Sequence, residues 1–363
     1  MSRFSCLLLT LAALFAVPGC VQDPPPASEV PKITDNLDAV QALEVLKAEI
    51  RKDADGHVSD VNLKGTAATA ENLKPLAAFA SLRSLTLDGV PLSDSDLEIL
   101  TTFKGPLASL NLRNCKITDA ALDHLAKIPT LRAIRLSGES GDSSLTDEGL
   151  AKLTALKSLK VLALDHLWIG TAGIESLTPV STIEELYLSN TLIDDSTLEV
   201  LQKFPSLKKL RLSQTQISND GLKHLVACRT LEELDLSENS LLSDDGLASV
   251  GQITSLKKLN LWRVGVSNTG IVKLAPLTKM EWLNLDNTQL SDEGLVALKD
   301  MKSLVFLHLG STSVSDTGLP SLYELSALKD LKVTRTSVTE AGVAALKEKL
   351  PNTEVQLKYA ENL

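Results

Sequence analysis

The sequence predicts an α/β solenoid, a curved stack of strand-plus-helix units. Three observations predict it. From Leu82 onward the chain repeats itself in eleven in-phase copies. Within each copy a period-2 hydrophobic pattern gives way to a helical stripe. Hydrophobic residues make up 44% of the chain but aromatics only 3%, so the core is aliphatic and suits thin, repeated layers. A compact fold of 363 residues implies two or three domains. Repeats remove that implication, because a solenoid grows in one dimension without a larger core.

The first elements are an address. Residues 1–19 read as a signal peptide. Arg3 supplies the positive region, and the apolar run Leu7 to Val17 is shorter than the ~20 residues a membrane span takes. Val17-Pro18-Gly19-Cys20 resembles a bacterial lipoprotein cleavage box. The resemblance implies a lipid on Cys20; the alternative is cleavage nearby and a free secreted protein. Residues 20–32, with Pro24, Pro25, Pro26 and Pro31, read as an extended tether, since proline lacks an amide donor and fixes φ. The expected location is therefore the cell envelope, lipid-anchored or secreted, with the lipid as the sole membrane attachment.

Residues 33–81 read as an N-terminal cap and an irregular first repeat. Asn36 to Lys52 predicts an amphipathic helix, with Leu37, Val40, Leu43, Leu46 and Ile50 on one face. Asp53-Ala54-Asp55-Gly56 is a turn into a strand at Val58 to Leu63. A calcium loop there fails, because Arg51 stands where an acid is needed.

Residues 82–352 hold the repeats. They begin at Leu82, Leu107, Leu131, Leu159, Ile183, Leu207, Leu231, Leu256, Met280, Leu304 and Leu328. Most spacings are 24 residues, two are 25 and one is 28. The longest contains the insertion Gly138 to Ser144, either a loop beside a binding face or a tolerated bulge. In one copy, Leu283 and Leu285 alternate with mostly polar residues, which marks a half-buried strand. Leu295 and Leu298 stand three apart, which marks a helix. Ser291 is a good N-cap with Asp292 and Glu293 behind it. The cap recurs at Thr118-Asp119, Thr146-Asp147, Ser243-Asp244, Ser315-Asp316 and Thr339-Glu340. Acids at these ends offset repulsion between parallel helix dipoles, which explains much of the net charge of -10. Residues 353–363 form a last strand, Glu354 to Leu357, and a tail.

Asn111-Leu112-Arg113-Asn114-Cys115-Lys116-Ile117-Thr118-Asp119 resembles the leucine-rich-repeat family, in its ribonuclease-inhibitor-like and cysteine-containing types. The resemblance spans about three quarters of the chain. It implies a right-handed solenoid with a parallel sheet on the concave face and short helices on the convex face. The family's inward polar position falls on Cys115, Thr191, Thr215, Asn239, Thr288, Thr312 and Thr336. Val90, Leu167 and Val264 interrupt it. Cys115 and Cys228 lie four repeats apart, on the order of 20 Å at strand spacing, too far for a disulfide.

The chemistry is that of a binder. No phosphate-cradling loop or paired-cysteine zinc spacing is present, so no cofactor or metal is expected. The acidic balance argues against a nucleic-acid partner. A histidine on the outward face, His308, has Asp286 one repeat earlier to orient it, but Ser311 sits in no nucleophile elbow. The middle outward column runs Thr86, Asn111, Arg135, Ala163, Tyr187, Arg211, Asp235, Asn260, Asn284, His308, Lys332. Trp262 and Trp282 fall on outward positions, and Phe306 follows Trp282 in its column. Exposed rings in a polar frame anchor interfaces. The candidate binding residues are therefore Trp262, Trp282, Phe306 and His308, with Tyr187 and Arg211 as a second group. The expected function is protein binding in a bacterial envelope. A structural or self-associating role is the alternative, and a hydrolase the remote one.

Overall fold

The computed structural model describes residues 35–358. The expected signal peptide, the expected tether with Cys20 and the end of the chain from residue 359 lie outside the described residues. Residues from Asp35 onward form one unit. Its fourteen strands make a single sheet in chain order. They are β1 (Glu49–Lys52), β2 (Val58–Asn62), β3 (Ser84–Thr86), β4 (Ser109–Asn111), β5 (Ala133–Ser137), β6 (Val161–Asp165) and β7 (Glu185–Tyr187). Then follow β8 (Lys209–Arg211), β9 (Glu233–Asp235), β10 (Lys258–Asn260), β11 (Trp282–Asn284), β12 (Phe306–His308), β13 (Asp330–Lys332) and β14 (Glu354–Gln356). β1 pairs antiparallel with β2, and the later pairs are parallel, as at β7 and β8. Between strands run short helices, α-helical at Asp195–Leu201 and Asp244–Val250 and 3-10 at Asp94–Thr102 and Asp292–Leu298. The architecture is the expected leucine-rich-repeat solenoid, and one continuous leucine core runs from Ala39 to Leu350.

The N-terminal cap departs from expectation. The helix covers only Leu37–Val45, and Glu49–Lys52 is the edge strand β1. Lys47 adopts φ 57° and ends the helix. Leu37 is 81% exposed, so it does not share the buried face with Leu43. The reason is the sheet edge: β2 has unpaired backbone groups that a helix cannot satisfy and a strand can. Asp53 closes the hairpin as a turn, its Oδ1 accepting from the backbone N–H of Asp55 and His57.

The inward polar ladder holds each turn after a strand. Thr191 donates to the Leu188 carbonyl at 2.7 Å, Thr312 to that of Leu309 at 2.6 Å, and Thr336 to that of Val333 at 2.7 Å. Cys115 takes the same place, with Sγ 3.1 Å from the Leu87 carbonyl. It and Cys228 are buried, unbridged thiols. Burial pushes their pKa values up to about 12 and about 11, which keeps both protonated and inert at neutral pH.

The acids behind the caps do more than answer helix dipoles. Each reaches the cap of the next repeat. Asp244 accepts from the Ser267 N–H at 2.7 Å and from its hydroxyl at 2.6 Å. Asp94 does the same to Thr118, Asp119 to Thr146, Asp195 to Ser218, Asp292 to Ser315 and Asp316 to Thr339. The expectation that each hydroxyl caps its own helix is thus only partly met. Thr118, Ser267 and Thr339 do so, but Thr146, Ser243 and Ser291 make no such bond. The neighbouring repeat engages all three of these hydroxyls: Thr146 donates to Asp119, and Ser243 and Ser291 accept from the side-chain amides of Asn219 and Asn268.

At five of these rungs the space beside the carboxylate is open only to glycine. A Cβ on Gly149, Gly221, Gly270, Gly318 or Gly342 would overlap the preceding repeat's Asp carboxylate. None of the five has a positive φ, so space and not backbone conformation requires glycine. The position is not glycine throughout: Ala121 follows the Asp94–Thr118 rung. Where Thr171 replaces the acid, Thr197 replaces the glycine, and the two hydroxyls lie 2.6 Å apart.

The rung makes a coupled prediction. Asp244→Ala should cost about 2 kcal/mol, from two charge-assisted bonds. Gly270→Ala should destabilise the parent by about 1–3 kcal/mol through overlap. In the Asp244→Ala background the cost of the same change should shrink without vanishing, because the carboxylate is gone but the Cα of residue 244, 2.9 Å from the added Cβ, remains. Urea denaturation of the four proteins measures this; additive effects would refute the overlap.

Candidate functional site

Parallel pairing turns each outward strand position into a column. The predicted middle column is realised strand by strand, from Asn111 beside Arg135 to His308 beside Lys332. The first column places Glu185, Lys209, Glu233, Lys258, Trp282 and Phe306 next to one another in turn. Side chains that share a column stand about 4.8 Å apart, so like charges in succession would repel. The charges alternate instead. Lys209 pairs with Glu185 at 3.1 Å and Glu233 at 3.7 Å, and Lys258 pairs with Glu233 at 3.0 Å. In the middle column Arg211 meets Asp235 at 3.6 Å.

The aromatics end this run. The Trp282 and Phe306 rings stack with centroids 4.9 Å apart and planes 5° from parallel, an arrangement contributing about 1 kcal/mol beyond burial. His308 meets Phe306 edge-on at 6.4 Å, and Lys332 Nζ lies 5.4 Å from the Phe306 centroid. At the opposite end, Tyr187 has Arg211 over its ring at 5.0 Å. Its hydroxyl donates to Glu185 at 2.7 Å. Burial, then the Glu185 carboxylate, pushes the Tyr187 pKa up to about 12. Tyr187 and Trp282 are thereby the two ends of one depression of about 290 Å³, floored by Leu210, Leu234 and Leu259.

The structure thus joins the two predicted groups: Tyr187 and Arg211 share a depression with Trp282. Trp262 stands apart in the third outward column, with Arg263 5.2 Å from its ring. It borders a second, polar trough. The sequence reading missed Lys209, Glu233 and the floor leucines. Tabulating the first column as well as the middle one shows the alternating charges.

His308 is half-buried, and burial lowers its pKa against the pull of Asp286. No hydrogen bond joins it to Asp286, whose Oδ1 is buried without a partner, as is Thr334 Oγ1. These atoms and His308 Nε2 crowd the space a Cβ on Gly310 would fill, each 2.8 or 2.9 Å from it. The expected orientation of His308 by Asp286 is therefore not made by a direct bond.

A family model described as FBD-associated F-box protein At5g56370, LRR repeats, matches residues 148–292. None of the curated proteins compared matches the chain. An internalin (inlF) from Listeria monocytogenes is similar in structure with a TM-score of 0.60, at 18% identity over 90% of this chain and 96% of that one. A leucine-rich-repeat protein from Leptospira interrogans, also 18% identical, covers 89% of this chain and 99% of its own with a TM-score of 0.49. At these identities the likeness concerns the fold.

The Tyr187 environment is directly testable. The absorbance difference between the parent and Tyr187→Phe in pH-jump titration should isolate a phenol ionising near 12. Glu185→Gln should lower that midpoint by removing the adjacent charge. An ordinary midpoint of about 10 in the parent would contradict the buried hydroxyl.

Proposed function

We propose that this leucine-rich-repeat solenoid is a protein-binding module whose partner docks on the open face of the sheet. The observation that carries the reading is the stacked Trp282–Phe306 pair at the end of a depression whose charges are already cancelled. Self-paired lysines, arginines and acids lose little on desolvation and repel no partner. The half-exposed rings then supply the anchor. Repeat scaffolds of this kind offer extended surfaces suited to such docking. The ribonuclease-inhibitor-like or cysteine-containing type is supported by Cys115 standing in the inward ladder.

The setting we infer is a bacterial cell envelope. Export rests on residues 1–19, and anchoring on a lipid at Cys20. Among the described residues no helix is long and apolar enough to cross a membrane. We read the chain as a binder without catalysis; the missing bond between His308 and Asp286 weighs against the hydrolase reading. A self-associating role is favoured by one observation. Trp168 is 80% exposed, with Leu192 beside it along one flank.

The test is affinity capture from an extract of the source organism with the full chain, beside a Trp282→Ala, Phe306→Ala double variant of unchanged melting temperature. The expected result is a partner captured by the parent and lost, by at least about tenfold, from the variant. Equal capture by both would refute docking at the aromatic pair. Concentration-dependent sedimentation abolished by Trp168→Gln, with no partner captured, would establish the self-associating reading instead.

A further inference from the structure

The third outward column is built unlike the other two. It runs Ser137, Asp165, Ser189, Ser213, Ser237, then Trp262. Short hydroxyl side chains in succession excavate the sheet face beside the taller middle column. The result is a trough of about 570 Å³, closed at one end by Trp262 and bordered by Glu139 of the 138–144 insertion. From Arg113 on one repeat to Trp262 six repeats on, it is roughly 30 Å long at strand spacing.

Most of its charges are paired, and the surplus is acidic. Asp165 lies between Arg113 at 4.0 Å and Arg211 at 3.9 Å. Asp88 pairs with Lys64 at 2.7 Å, and Glu238 with Arg263 at 2.9 Å. An ion entering the trough meets both signs and gains little. Directed hydrogen-bonding capacity nevertheless persists. The guanidiniums stand beyond hydrogen-bond distance of Asp165 and keep N–H groups to donate. The Ser213 and Ser237 hydroxyls already donate, to Ser189 and Asp235, and keep lone pairs to accept.

A peptide strand finds no backbone partner here, because the ladder is already closed. The His166 N–H donates to Ser189, that of Asn190 to Ser213 and that of Gln214 to Ser237. Nucleic-acid phosphates would face Asp88, Glu139 and Asp235. What fits a long trough of mixed donors and acceptors, mostly paired charges with an acidic surplus, and one indole wall is an uncharged ligand of many hydroxyls and flat C–H faces. We propose that this trough is a binding site for a neutral oligosaccharide, with a sugar ring against Trp262 and its hydroxyls bridging Arg113, Arg211 and the serine row. The site is separate from the aromatic pair of the docking face and needs no protein partner.

The test is titration of the full chain with maltotriose, cellotriose, chitotriose and mannotriose, read by tryptophan fluorescence and calorimetry. At least one should give a saturable response below about 10 mM. It should hold its affinity between about 0.1 and about 0.5 M sodium chloride, since no ion pair forms. Trp262→Ala should weaken it at least about tenfold. Ser213→Phe, which refills the trough from a surface position without touching the core, should do the same. No saturable response to any of the four, an unchanged response in both variants, or a response only to acidic oligomers that fades with salt would each overturn the proposal.

Discussion

One contact recurs along the solenoid: at six turns a carboxylate at the start of one helix holds the backbone N–H and hydroxyl at the start of its neighbour, and at two more Asn219 and Asn268 take its place. Leucine packing alone does not fix how one layer sits on another, because leucines in thin layers interlock in several ways. The rung has direction and length. Asp244 to Ser267, and its counterparts along the chain, fix the stacking distance and azimuth of the helices they join. The sheet opposite inherits that registration. The glycines that make room for these carboxylates give up helix propensity, and the rung offsets that cost with two charge-assisted bonds. The Thr171–Thr197 pair shows the two positions changing together.

The repeat was legible from sequence because its signals are local and redundant. Alternation at Leu283 and Leu285, spacing at Leu295 and Leu298, and the small polar position at Thr191 or Thr312 recur within each copy. They gave the strand register and the middle column correctly. What sequence reading missed was relational. The acid behind each cap was assigned to its own helix dipole, whereas its partner lies in the next repeat. The edge strand at Glu49–Lys52 looked helical, because the unpaired edge of β2 that it satisfies is visible only once the sheet exists. The depression between Tyr187 and Trp282 draws on five repeats, and no single copy contains it.

The same registration gives the outward face its chemistry. In a parallel ladder each side chain stands beside its equivalents in neighbouring repeats, so a column is a linear polymer of side chains with fixed spacing. Alternating Glu185, Lys209, Glu233 and Lys258 produce cancellation. Adjacent Trp282 and Phe306 produce a stacked, apolar step. Serines in succession produce a trench. These properties belong to order along a column and not to any one residue.

The columns also lie close enough to share residues. Arg211 stands over Tyr187 in the aromatic depression and reaches Asp165 and Asp235 in the trough. With Asp235 and Asn260 it lines both. A guanidinium cannot satisfy new partners on both sides at full strength, since its donors are fixed in one plane. A ligand that draws Arg211 toward the trough takes it from the Tyr187 ring, and a partner seated on Tyr187 holds it there. The two proposed surfaces thereby share one side chain, and competition for it would act equally in both directions by linkage.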